Sequence, residues 1–168
     1  QLRLEVYDRV SAGDLNRYNR YHSGSLADPS AQKINWNRTF ELGTADARGG
    51  ILLLHGISDS PYSMRALAER LHARGYRVVG LRFPGHGTAP SALTHTNWQD
   101  MAAAVRLAAR DLSQPLGPGK KLYMVGYSTG AALAVEYALA RLQGEPLPQV
   151  ERLVLISPAI GVSLLQCS

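Results

Sequence analysis

Leu122-Tyr123-Met124-Val125-Gly126-Tyr127-Ser128-Thr129-Gly130-Ala131-Ala132-Leu133 is the stretch that decides the fold. Leu122–Val125 reads as an apolar strand, and Ala131–Leu142 as an Ala-rich helix ended near Gly144 and Pro146. Between them, Gly126 to Gly130 matches G-x-S-x-G. In a chain of 168 residues with 16 glycines, the pattern alone is weak, with about 0.1 copies expected by chance, so the flanking strand and helix must carry the argument. A sharp strand-to-helix turn forces the serine into strained dihedrals, and the neighbouring glycines leave room for it. Ser128 is thereby expected at the carboxyl edge of a sheet and at a helix N-terminus, whose partial positive charge favours an alkoxide or oxyanion. A plain N-cap serine is the competing reading. Motif and context together favour a nucleophile.

Outward from this point the pattern repeats. Upstream, Ile51–Leu54 is a continuous apolar run after Gly49-Gly50, as suits a strand covered on both faces. Pro61 opens a helical segment with Met64, Leu67, Ala68 and Leu71 on one face and Gly75 at its end. Tyr76–Leu81 is the next strand, followed by a Gly/Pro-rich loop, Phe83–Thr96. Trp98, Met101, Ala102, Val105 and Leu112 mark a second amphipathic helix. Val150–Ile156 is the last strand. Strands alternating with helices predict an α/β protein, a three-layer sandwich with a mostly parallel sheet and helices on both faces. Functional loops are then expected at the carboxyl ends of the strands.

The first third is less regular. Leu2, Leu4 and Val6 alternate with polar residues, which predicts a short strand. Residues 11–32 read as loop, and Tyr7, Tyr18 and Tyr21 as packing residues. Ile34, Trp36 and Phe40 predict a half-buried strand over Ile34–Leu42. The division expected is an extension over 1–48, with an edge strand or hairpin, and a larger domain over 49–168.

Composition excludes little by itself. The net charge is +5, yet the bases are dispersed. Residues 1–48 hold seven Lys/Arg against six Asp/Glu, and the only adjacent basic pair is Lys120-Lys121. No nucleic-acid partner is expected on that pattern. A lone Cys167 allows no intrachain disulfide and leaves the compartment open, cytoplasmic or envelope-associated. Membrane association has no support in the sequence, and the oligomeric state is not set by it.

An acyl-transfer site needs two backbone N–H donors aimed at the tetrahedral oxyanion. Thr129, following the candidate nucleophile, is one. The loop His55-Gly56-Ile57-Ser58-Asp59-Ser60 supplies the other: Gly56 permits a sharp turn, which makes Ile57 the second donor. Ile57 and Tyr127 are also assigned to the substrate pocket. The same loop must start a helix, so a capping role for its Ser and Asp is compatible. His55 reads as a packed or hydrogen-bonded loop histidine, and His86, in Phe83-Pro84-Gly85-His86-Gly87-Thr88, as one bonded to nearby backbone. A phosphate-loop reading of those glycines fails for want of a following helix N-terminus and a Lys-Ser/Thr pair.

His55-Gly56-Ile57, Gly85-His86-Gly87 and Gly126-Tyr127-Ser128-Thr129-Gly130, in this order and spacing, resemble the α/β-hydrolase superfamily. The resemblance is to the bacterial carboxylesterase, monoacylglycerol lipase and lysophospholipase group, related to S33-type serine aminopeptidases. Thr96–Asp100, with Trp98 inside it, is similar to the segment after that group's glycine loop. The resemblance covers roughly residues 49–158. It implies a Ser–His–Asp esterase acting on a small ester or lipid, with no metal or other cofactor. It also implies the chain order Ser, then acid, then His. All five histidines, His22, His55, His72, His86 and His95, precede Ser128. After it come no aspartate and only Glu136, Glu145 and Glu151. The acid, the base, the lid and the last strands are therefore expected beyond Ser168, with residues 1–168 alone expected to be inactive. A non-catalytic binding or scaffold protein, an acyltransferase or a peptidase on the same fold are the alternatives.

Overall fold

A computed structural model describes Asp28, residues 31–88 and residues 90–160. The readings of Leu2–Val6, of Tyr7, Tyr18 and Tyr21, and of His22 and Cys167 lie outside those residues. The element order is β1 (Phe40–Leu42), β2 (Gly49–Leu54), α1 (Arg65–His72), β3 (Arg77–Leu81), α2 (Trp98–Ser113), β4 (Lys121–Tyr127), α3 (Thr129–Leu142) and β5 (Val150–Ile156). Short 3-10 turns at Pro61–Met64 and Pro90–His95 precede α1 and α2. The five strands form one sheet in the order β1-β3-β2-β4-β5. β1 is antiparallel to β3, and the other pairs are parallel.

β2 lies at the centre, and its side chains divide the core as strand alternation requires. Leu52 and Leu54 join Val105, Ala109 and Leu112 of α2 and Tyr137 of α3 on one face. Ile51 and Leu53 join Ala68 of α1, with Trp36, Phe40 and Met64, on the other. This is the expected three-layer α/β arrangement. Leu52, Leu53 and Leu54 are almost fully buried, each contributing about 1.5–3 kcal/mol from removal of apolar surface from water. α2 starts at a capping box: the Asn97 side chain accepts from Asp100 N–H, and the Asp100 carboxylate accepts from Asn97 N–H.

Two expectations are corrected. The strand over Ile34–Leu42 shrinks to Phe40–Leu42. Asn35 is the cause, since its side-chain and backbone oxygens accept from Asn37 N–H (3.2 Å) and Arg38 N–H (3.1 Å) and bend the chain. Trp36 and Phe40 are buried all the same, with rings packed edge to face at 4.7 Å, whereas Ile34 is exposed. Trp98, assigned to the apolar face of α2, is 55% exposed. It occupies the first turn of the helix and lines a surface groove with Arg106 and Glu136.

Candidate active site

β2 and β4 pair in parallel with Leu54 opposite Gly126, so the loops that leave them emerge side by side at one sheet edge. At the end of β4 the chain turns within a single residue. Ser128 has φ 53° and ψ −114°, a positive φ that L-residues avoid, and α3 begins at Thr129. Its carbonyl accepts from Ala131 N–H and Ala132 N–H, as the first helical carbonyl should. Its side chain makes no capping bond. The plain N-cap reading therefore does not account for this serine.

Glycines allow the turn. A Cβ on Gly130 would meet Leu54 O at 2.3 Å and His55 O at 2.6 Å, and one on Gly126 would meet backbone of Gly130 and Ala131 at 2.5 Å. α3 thus docks directly on the β2 backbone. A Cβ on Gly56 would lie 3.2 Å from the Tyr127 ring and 3.5 Å from Ser128 Cβ. That contact puts the His55–Ser60 loop against the Ser128 turn. Ile57 and Tyr127 are 52% and 41% exposed, so both residues assigned to a substrate pocket face outward at this edge.

The loop itself is pinned. Asp59 N–H donates to Gly56 O (3.3 Å), closing a turn with Ile57 at its first corner. His55 is fully buried. Its Nδ1 donates to Gly56 O at 2.8 Å, and its Nε2 accepts from Phe83 N–H at 3.3 Å. Those two bonds engage both ring nitrogens and fasten the loop after β2 to the loop after β3. His86 Nδ1 donates to Pro84 O at 2.8 Å, as expected. His72 sits at the end of α1 against Tyr76 O, at the opposite sheet edge.

Acidic groups after Ser128 are likewise committed elsewhere. Glu136 and Glu145 both hold Arg106, at 2.7 Å and 3.0 Å. The Arg106 guanidinium keeps the Glu145 carboxyl below the usual range. Glu151 pairs with Lys121 at the start of β4, the far end of the sheet from Ser128. Among the described residues no group of three or more His, Cys, Asp or Glu could hold a metal, and no helix is long and apolar enough to cross a membrane.

The profile of one family, described as serine aminopeptidase, S33, matches residues 45–167. The chain belongs to this family of α/β hydrolases. A thermostable monoacylglycerol lipase of Bacillus sp. (strain H-257) is 32% identical over 113 residues, covering 67% of this chain and 42% of that protein. The magnesium-chelatase 30 kDa subunit of Rhodobacter capsulatus is 33% identical over 119 residues, 70% of this chain and 37% of that one. Among solved structures, a metagenome-derived lipolytic enzyme of the LipS and LipT pair superposes with a TM-score of 0.64 at 30% identity. It matches 76% of this chain and 48% of its own. The chain thus spans less than half the length of these relatives. Family and neighbours agree on a hydrolase fold of lipase and esterase type.

The sequence did not single out Ser157. It follows β5 with φ 44°, although a residue before proline prefers extended backbone. Around it, Ser128 N–H donates to Ile156 O (2.9 Å) and Ala159 N–H donates to Ser128 O (3.3 Å). The turn after β5 therefore grips the backbone of the candidate nucleophile from the side opposite β2.

Proposed function

We propose that this chain supplies the nucleophile and oxyanion hole of a serine hydrolase that cleaves carboxylic esters. The observation that carries the reading is Ser128: strained, positioned at the N-terminus of α3, and not used as a cap. Its Oγ attacks the ester carbonyl carbon. The N–H groups of Ile57 and Thr129 donate to the oxygen that becomes an oxyanion, and collapse of the tetrahedral intermediate expels the alcohol and leaves an acyl-serine. Water then repeats the sequence and releases the acid.

The proton from Ser128 needs a base. His55 and His86 are buried and bonded to backbone, and His72 stands at the other sheet edge. The base and the acid that orients it are assigned on this reading to sequence beyond residues 1–168. Exposed Ile57, Tyr127 and Ile156 at the edge of the site suit an apolar acyl group, and the monoacylglycerol lipase relative makes a small lipid ester the first substrate to try. The mechanism calls for no cofactor. In domain terms, residues 1–48 form an extension that contributes the edge strand β1, and residues 49–168 the first part of the hydrolase domain.

The chelatase-subunit relative favours one second reading, a family member that acts as a component of an assembly without ester turnover. One experiment separates the two. In the full-length protein, Ser128→Ala is expected to abolish p-nitrophenyl ester hydrolysis, a loss of several orders of magnitude in kcat. A fluorophosphonate is expected to label Ser128 alone. Full activity in Ser128→Ala refutes the nucleophile, and a protein that neither turns over esters nor takes up the probe supports the second reading.

A further inference from the structure

Asn37 lies outside the family match at residues 45–167 and some 90 positions before Ser128 in the chain, yet it reaches the candidate site. Ser60 is completely buried and donates its Oγ–H to Asn37 Oδ1 at 2.6 Å. The backbone of the same residue closes on a third segment: a Cβ on Gly87 would meet Asn37 O at 2.7 Å and Ser60 Cβ at 3.2 Å. Three separate stretches, 35–38, 55–60 and 83–88, therefore meet at one polar contact. Asn37 is itself held by the Asn35 turn and by buried Trp36 beside it.

Ser60 ends the loop that carries Ile57. Its N–H donates to the Asp59 carboxylate at 2.7 Å, and Asp59 N–H closes the turn onto Gly56 O. The turn is thus anchored at one end by His55 Nδ1 and at the other by Asn37 through Ser60. With both ends fixed, the direction of Ile57 N–H is fixed. Without the Ser60–Asn37 bond, that end of the turn loses its side-chain tie to the 35–38 segment, and the turn can shift about Gly56, whose missing side chain gives it that freedom.

We propose that Asn37 is a positioning residue for the oxyanion hole, acting through Ser60 on Ile57 N–H. This gives the segment before the sheet a part in the reaction. It rests on the assignment of Ile57 as an oxyanion donor.

The test compares Asn37→Ala, Asn37→Asp and Ser60→Ala in the full-length protein, with Ser128→Ala as reference. A misplacement of about 1 Å costs on the order of a hundredfold in rate, and outright loss of one donor about a hundredfold to a thousandfold. Asn37→Ala is expected to lower kcat about tenfold to a hundredfold with KM within twofold, because the donor matters where negative charge has developed. Asn37→Asp keeps the acceptor for Ser60 and is expected to restore kcat to within about threefold. Ser60→Ala is expected to match Asn37→Ala, with no further loss in the double variant, since both break one link. Should Asn37→Ala fail to fold, Ser60→Ala, which removes a single oxygen, decides alone. Unchanged kcat in folded Ser60→Ala, equal losses in Asn37→Asp and Asn37→Ala, or a loss confined to thermal stability overturns the proposal. If Ser128→Ala retains activity, the underlying assignment of the site has failed instead, and the two failures are distinguishable.

Discussion

Gly130→Ala puts a methyl group where the backbone of β2 already stands. The new Cβ would lie 2.3 Å from Leu54 O and 2.6 Å from both Leu54 C and His55 O. All three are main-chain atoms of the central strand, so no side chain can swing aside, and α3 must retreat by a sizeable fraction of an ångström. Overpacking of this kind costs typically about 1–3 kcal/mol. Replacing a helical glycine by alanine returns about 1 kcal/mol, leaving a net loss of up to about 2 kcal/mol. For a domain of about 150–250 residues each kcal/mol moves Tm by about 2–4 °C, so a fall of up to about 8 °C is expected. Activity should fall further than stability suggests. Thr129 N–H, the proposed oxyanion donor, rides on the same helical turn, and displacing a catalytic group by about 1 Å costs on the order of a hundredfold. Gly144→Ala is the control. Gly144 has φ +100° and nothing within 4 Å of an added Cβ. Alanine there carries backbone strain of about 1–2 kcal/mol at the end of α3 remote from Ser128, so Tm should fall while kcat stays constant. Scanning calorimetry and p-nitrophenyl ester kinetics on both variants of the full-length protein give the comparison. Wild-type kcat in Gly130→Ala would refute the claim that α3 is positioned by direct contact with β2, and equal kcat losses in both variants would refute the distinction between steric and conformational cost.

Two further predictions follow from packing. Tyr137 is fully buried, its hydroxyl donates to Pro148 O at 2.9 Å, and burial pushes its pKa up to about 12. The stability it contributes is complete below pH ~10, the unfolded value, and is lost as pH rises towards the folded value. Tm should therefore decline between pH ~10 and ~12. Tyr137→Phe, though about 1 kcal/mol less stable at neutral pH, should show a shallower decline, and parallel curves would contradict the assignment. The second concerns β5, where Val154, Leu155 and Ile156 are 51%, 38% and 41% exposed. A flat apolar strand at a sheet edge recruits other chains. Residues 1–168 expressed alone should elute as a dimer or larger in size-exclusion chromatography and hydrolyse no ester; a soluble monomer with Ser128-dependent turnover would refute both halves.

The centre of the sheet was legible because β2 is buried on both faces, so Ile51–Leu54 is a continuous apolar run that needed no context to be read. Val150–Ile156 was read from Leu153–Ile156, although β5 stands at the sheet edge with most of its residues exposed. The helices announced themselves through Pro61, Gly75 and the spacing of Met101, Ala102 and Val105. The extension was not legible in the same way. Ile34, Trp36 and Phe40 alternate as a strand would, but Asn35 can bond its own backbone, and one such turn defeats a period of two over most of nine residues. Trp98 misled for a different reason. Helical periodicity places a residue on a face, but Trp98, in the first turn, has on its side a surface groove lined by Arg106 and Glu136 instead of core.

Within the site, local contacts were legible and long-range ones were not. The strain at Ser128 follows from an apolar strand and a helix separated by one residue, and the small neighbours follow from the lack of space, so both leave a mark in adjacent positions. The link from Asn37 to Ser60 spans 23 residues and joins two residue types common in any loop. The grip of the β5 turn on Ser128 is made by backbone atoms, which carry no residue identity at all. That difference bears on how such a site is built. A hydrolase nucleophile can be set by its own short stretch of chain, but an oxyanion donor in a separate loop needs that loop fixed relative to the nucleophile. Here the fixing comes from Gly56 packed on Tyr127 and Ser128, from His55 bonded to Phe83 N–H, and from Ser60 bonded to Asn37. Each contact joins segments distant in sequence, so the precision of the proposed oxyanion hole would depend on the assembled sheet even though the identity of the proposed nucleophile does not.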